Sequence, residues 1–339
     1  MHRATPLRLA CLLLALSALG ACERRAHLVE QHLLAFGTLF QITLITEDID
    51  QAQTVLGEIE QRLQRWHGQW HAWEESDLTR FNTALAGGEQ ARIPASLREL
   101  IELSRDYAIT TQGLFNPAIG KLIGAYGFHG GEAEPARVPS LIDNMPQMAD
   151  LEIAGELAYS RHPELQLDFG AIAKGLALAR IRDYLASRGI EHYVVNAGGD
   201  LITGGNRFGK PWRIGIQDPF APGAIASIEL EGSHSLFTSG DYRRYYQRGE
   251  QRVHHIIDPR SGESATGRSS ATILISDPVR ADVAATALMI AGLRDTVTLA
   301  RALKVDHFLL VNDSRQIFVS RAWAKKVRII VHWDTKIIN

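Results

Sequence analysis

One nine-residue stretch, Leu167-Asp168-Phe169-Gly170-Ala171-Ile172-Ala173-Lys174-Gly175, constrains this chain more than any other. It reads as a strand ending in an acid, a glycine turn, and a helix start with a lysine one turn in. Gly170 has no Cβ, so the backbone there can approach a ligand closely. The N–H groups that open a helix favour an anion. Lys174 adds a point charge of the kind found at phosphate sites. Asp168 is an oxygen donor beside that anion site, which points to a polar cofactor or a metal. The P-loop spacing G-x-x-x-x-G-K-[ST] is absent. Taken alone, the stretch is equally a plain strand-to-helix turn with a solvated lysine.

The 339 residues suffice for one large domain or two ordinary ones. A net charge of -2 gives no basic excess of the kind nucleic-acid binders show. At the N-terminus, His2, Arg3 and Arg8 precede an apolar run over 9–19. The run ends in Leu19-Gly20-Ala21-Cys22, which reads as a bacterial lipobox whose cysteine is expected to be lipidated and to become the first residue after cleavage, with a plain secretory signal and a chance cysteine as the alternative. Cys11 lies inside the apolar run, so the mature chain keeps one acylated cysteine and no disulfide. This predicts a signal peptide over 1–21, a lipidated tether over 22–32, one domain over 33–321 and a tail over 322–339 without an assigned role. No later segment is apolar enough to span a bilayer. The expected location is the periplasmic side of the inner membrane, anchored by lipid. Glu23 stands where an aspartate usually marks inner-membrane retention in enteric bacteria, which leaves the outer membrane as the alternative.

Periodicity predicts strands over 40–45, 165–169, 193–196, 212–217, 226–230, 235–238 and 271–275. Helices are expected over 50–66, 94–111, 171–188, 279–291 and 295–303, with a short capped one over 76–82. Val55, Leu56, Ile59 and Leu63, three and four apart, exemplify the helical pattern. Two hairpins are expected, 242–247 with 252–257 and 308–311 with 316–320. Early helices followed by antiparallel strands argue for an α+β domain over a doubly wound sheet.

Four more segments have the composition of a site. Asn196-Ala197-Gly198-Gly199-Asp200 is a tight turn after a buried strand, as readily a turn chosen for its glycines. Thr238-Ser239-Gly240-Asp241-Tyr242 puts short polar groups at a strand end, as a plain turn or cap also would. In His254-His255-Ile256-Ile257-Asp258-Pro259-Arg260-Ser261-Gly262, a strand points the histidines to opposite faces, so one can face a site while the other packs. Asp282 and Thr286, four apart on a helix, project from one face as oxygen ligands suited to Mg²⁺. A helix start favoured by Asp282, with Thr286 as packing, is the plainer reading. Cys and His at zinc spacing are missing.

In order, the segments at 37–38, 76–82, 113–117, 167–175, 196–200, 211–219, 239–242, 255–262 and 281–286 closely resemble the ApbE family, the FAD:protein FMN transferases of bacteria. Each is weak alone; nine in one order are specific. The resemblance implies a single T-fold-related α+β domain of mixed antiparallel sheet and helices. It implies binding of FAD and Mg²⁺, and attachment of FMN by a phosphoester bond to a Thr or Ser of a partner flavoprotein subunit, with AMP released. It implies that Asp168 and Lys174 contact FAD, and that the Ala171 carbonyl, Asp282 and Thr286 hold the metal. Ala285 stands where some members have another acid. Ile256, Leu114, Phe115 and Asn116 are implied to line the flavin site. Phe36 replaces a methionine before Gly-Thr, Trp73 an aromatic that is often tyrosine, and Asn116 a frequent aspartate; Phe36 and Trp73 can still stack on a flavin.

In that scheme the metal neutralises charge on the leaving AMP, while Lys174 and the helix start hold the phosphates. His255 is the candidate base for the acceptor hydroxyl, with Asp258 or Asp241 as orienter or alternative base. Two competing expectations remain. Water in place of the hydroxyl gives a metal-dependent FAD pyrophosphatase yielding FMN and AMP. A non-enzymatic FAD-binding lipoprotein would bind FAD without releasing AMP.

Overall fold

The computed structural model describes residues 26–249 and 251–339. The expected signal peptide and Cys22, the expected lipidation site, lie outside the described residues. The backbone is organised by a nine-stranded sheet whose spatial order follows chain order: β1 His27–Ala35, β2 Thr38–Thr46, β3 His192–Ala197, β4 Asp200–Gly204, β5 His234–Gly240, β6 Ser270–Ile275, β7 Phe308–Val311, β8 Ile317–Ser320 and β9 Thr335–Ile338. Neighbours are antiparallel except β8 and β9, which run parallel. The segment 27–32, expected as tether, is therefore strand. Its mixed polarity is that of an edge strand, half of it in solvent.

Period-two alternation divides the core between the two faces of the sheet. Ile202, Phe237, Ile273 and Leu310 face the helices α1 Ile49–Trp70, α2 Asp77–Ala86, α3 Ala95–Thr110, α4 Ala173–Ser187 and α5 Pro278–Ile290. Their neighbours Leu201, Leu236, Leu274 and Leu309 face the other way, onto a small sheet of Trp212–Gln217, Ala224–Leu230 and Arg328–Ile329. Trp323 is fully buried in that second core, so the C-terminal segment is packed into the fold. Side-chain caps mark the starts of two of the helices around the site. Ser76 caps α2 by accepting from Thr79 N, and Asp277 caps α5 by accepting from Arg280 N, with Pro278 at the first turn.

The strand expected over 165–169 does not join a ladder beyond one bridge, Gln166 to Ile119. Gln166 and Asp168 bond the backbone of 117–120 on one edge, and on the other edge a side chain takes the place of a strand. Asn82 Nδ2 donates to Leu167 O at 2.9 Å, and Leu167 N donates to Asn82 Oδ1 at 2.8 Å. The buried amide satisfies both backbone groups that a ladder would have paired.

Candidate active site

Helices α4 and α5 cross at Gly175. A Cβ there would sit 2.7 Å from Pro278 O and 2.9 Å from Val279 Cα and Asp282 Cβ, so only glycine allows the contact. The crossing lets Gly175 N donate to Asp282 Oδ2 at 2.8 Å. One turn further along α5, Thr286 Oγ1 lies 3.1 Å from Ser239 Oγ on β5. The turn that carries Ala171 leads directly into α4 and so is tied to Asp282 through Gly175. Ala285 is buried and adds no oxygen.

Lys174 pairs with Asp200, whose Oδ1 also accepts from Thr238 N at 2.9 Å. In the sequence Asp200 is only part of a glycine turn; the sheet brings it to a lysine 26 positions earlier. Burial works against a charged Lys174, but the carboxylates of Asp200 and Asp282 outweigh it and raise its pKa. Asp282 behaves oppositely. Burial raises its pKa and the nearby Asp200 charge adds to this, with Lys174 opposing both. The result is a cradle of two buried carboxylates and the half-buried Lys174, where β4 begins and β5 ends.

A row of rings borders this cradle. Phe36, with φ 52°, contacts His67 (5.6 Å between centroids); His67 contacts His71 (5.1 Å), and His71 contacts Trp73 (4.5 Å). Trp73, 42% exposed, stacks on His129 at 5.2 Å and 19°. Arg244 lies 5.5 Å from the Trp73 ring and donates to Phe128 O. His129 Nε2 meets Asp168 Oδ2 at 2.7 Å, and Asp168 Oδ1 accepts from Gly170 N at 2.7 Å. Burial alone would raise the Asp168 pKa; the bond to His129 and that from Gly170 outweigh it and hold it low. His129 was not singled out in the sequence. It sits in a glycine-rich run, and nothing local links it to Asp168.

The histidines divide, but the expected strand over 252–257 ends at His254, and His255 lies in the bend that follows. His254 is buried: Nε2 lies 2.8 Å from Ala265 O, and Nδ1 accepts from Ile256 N at 3.3 Å. His255 is half-buried, with Nδ1 3.2 Å from Arg244 O. A carbonyl only accepts, so Nδ1 carries the proton and Nε2 keeps the lone pair. Burial, with Arg244 nearby, pushes the imidazole down to about 3, so it is neutral near pH 7.

Other expected site residues are placed differently. Asp258 is committed to Arg260, accepting from Nε at 2.9 Å and Nη2 at 2.6 Å, and is not bonded to His255 among the described residues. Asp241 lies 3.3 Å from Arg252 Nη1, and burial pushes it up to about 6. Phe115 and Ile256 are core residues, Asn116 holds Pro146 O at 2.9 Å, and Leu114 is half-buried at the core's margin.

Among the described residues, no group of three or more His, Cys, Asp or Glu could hold a metal. The donor set at Asp282 still fits a hard cation. It offers a buried carboxylate, whose burial penalty a cation would offset, and the hydroxyls of Thr286 and Ser239, all oxygen.

The fold and site define an α+β protein with a half-buried lysine held between two buried carboxylates, beside an aromatic wall. The chain belongs to the ApbE family, whose pattern matches residues 36–309. It is 36% identical over 298 residues to a Rhodobacter capsulatus FAD:protein FMN transferase, covering 86% of this chain and 57% of that protein; it thus spans just over half of that relative's length. A Vibrio cholerae FAD:protein FMN transferase is 33% identical over 309 residues, covering 88% of this chain and 92% of that protein. The crystal structure of a Thermotoga maritima ApbE protein superposes with a TM-score of 0.81 at 27% identity, covering 88% of this chain and 99% of that one. The flavin transferase ApbE of Vibrio cholerae gives 0.76 at 27% identity, covering 89% and 100%.

Proposed function

We propose that this chain is a Mg²⁺-dependent FAD:protein FMN transferase that moves FMN from FAD onto a Thr or Ser hydroxyl of a partner flavoprotein subunit. The observation that carries the reading is the cradle itself: Lys174 held cationic next to Asp282, beside aromatic rings able to flank a flavin. The names of the relatives point the same way. Asp282, Thr286 and the Ala171 carbonyl would hold Mg²⁺, which supplies charge neutralisation at the pyrophosphate. Lys174 binds the same phosphates, and Phe36 and Trp73 orient the ring system. His255 offers Nε2 to the acceptor's hydroxyl proton as the oxygen attacks the phosphorus of the FMN half. Asp241 is the alternative base. The bond between that phosphorus and the bridging oxygen breaks, AMP departs, and a phosphoester remains. Acylation at Cys22 would hold the enzyme at the periplasmic face of the inner membrane.

Incubation with FAD, Mg²⁺ and periplasmic protein tests this. Covalent flavin fluorescence on an acceptor band, with matching AMP, is expected. Free FMN and AMP without a fluorescent band would mean a pyrophosphatase. Retained FAD without AMP would mean a binding lipoprotein.

A further inference from the structure

The chain enters the fold at the far end of the sheet from the aromatic row. His27, which opens β1, pairs with Thr46; Ile45 pairs with His192, and Tyr193 with Gly204. Those residues mark one end of β1–β4. The turns at 35–38 and 197–200, with Phe36 and Asp200, mark the other. Along nine-residue β1 the two ends lie roughly 26 Å apart at ~3.3 Å per residue. Only four residues separate Cys22 from His27. At ~3.5 Å per residue, that link spans at most about 18 Å.

A second feature lies at the entry end, just past Gly204. Residues 207–210 form a tight turn in which Arg207 N donates to Lys210 O at 2.7 Å and Lys210 N to Arg207 O at 3.1 Å. Both central residues have positive φ, Phe208 at 52° and Gly209 at 77°. Such a turn normally takes Asn, Asp or Gly first. Phe208 instead displays its ring at the tip, 52% exposed, between exposed Arg207 and Lys210. Three strand spacings of about 4.8 Å separate β1 from β4, so the turn lies within the reach of an anchored tether.

We propose that this end rests on the lipid surface, with Phe208 entering the interface and Arg207 and Lys210 meeting anionic headgroups, so that the candidate site faces away from the bilayer. The inference depends on the acylation of Cys22 proposed above. It means that an acceptor hydroxyl must be offered roughly a strand's length above the membrane, by an extramembrane domain. The sheet end at Leu34, 71% exposed and paired with exposed Leu39, is the competing contact.

The test uses the full acylated protein in vesicles of phosphatidylcholine and phosphatidylglycerol that contain brominated lipid. Cys22 is the mature chain's own single cysteine and is acylated, so an introduced thiol takes the dye alone. Dye at Phe208→Cys should be quenched several-fold more than dye at Leu34→Cys, and adding Arg207→Glu with Lys210→Glu should reduce the quenching at 208. Equal or reversed quenching, with the protein floating on the vesicles, overturns the orientation and leaves the anchor intact. Failure to float overturns the anchor and, with it, the orientation. Unchanged quenching after both charge reversals overturns the headgroup contact.

Discussion

Asp282, Lys174 and Asp200 lie where two helices meet the sheet, whereas Trp73, His129 and Arg244 stack side by side nearer the surface. In the first region the backbone does the placing: Gly175 allows the crossing, and backbone N–H groups of Gly175 and Thr238 fix both carboxylates. In the second, side chains hold other side chains, through ring stacking, an arginine over an indole, and one His–Asp bond. A region placed by backbone tolerates little change at its glycine and fails as a unit. A region placed by side chains should lose affinity in steps.

The largest effect is expected from Gly175→Val. The atoms its side chain would meet are backbone and Asp282 Cβ, which cannot swing aside. Overpacking of this kind costs about 1–3 kcal/mol. At roughly 2–4 °C per kcal/mol, it should lower Tm measurably and abolish FMN transfer together with the Gly175–Asp282 bond. A fully active variant of normal Tm would show that the crossing does not place Asp282. A smaller effect is expected from His129→Ala. Losing one hydrogen bond to a charged partner costs about 1.5 kcal/mol at the low end, or roughly tenfold. It should appear in KM for FAD with kcat little changed, as the steady-state split will show. The effect that vanishes at neutral pH and grows only on acidification concerns His255. His255 sits near 3 when folded and near 6.5 when unfolded, so between those values the unfolded chain binds the extra proton. Stability from this group is complete above pH 6.5 and falls as pH drops through that window, by at most about 1.4 kcal/mol per unit. In chemical denaturation across that range, His255→Gln should flatten the acid side of the profile.

The same contrast governs what the sequence makes legible. Asp282 and Thr286 are readable as one helix face because both lie on a single helix, and the Leu167–Gly175 stretch is readable because its strand, turn and helix are consecutive. Asp200 signals only a turn, since its partner Lys174 arrives through the sheet. His129 carries no local signal at all; its stack on Trp73 exists only in three dimensions. The 165–169 segment reads as a strand for a sound local reason and is extended, yet Asn82, from α2, replaces its neighbour. Residues 27–32 read as tether because an edge strand with one wet face looks polar. The C-terminal segment has no local pattern that predicts Thr335–Ile338 joining β8 in parallel, because its register is set by a partner formed earlier in the chain.

Asp282, fixed through Gly175, is the residue proposed to organise the metal-dependent step. FMN transfer to an acceptor protein from FAD, measured with and without Mg²⁺ in wild type and Asp282→Ala at matched folded concentration, tests it most directly. Mg²⁺-dependent transfer is expected in wild type, with a loss of roughly 10²–10³-fold or more in the variant, the scale of removing one fixed electrostatic contributor. Full Mg²⁺-dependent transfer by folded Asp282→Ala would contradict it.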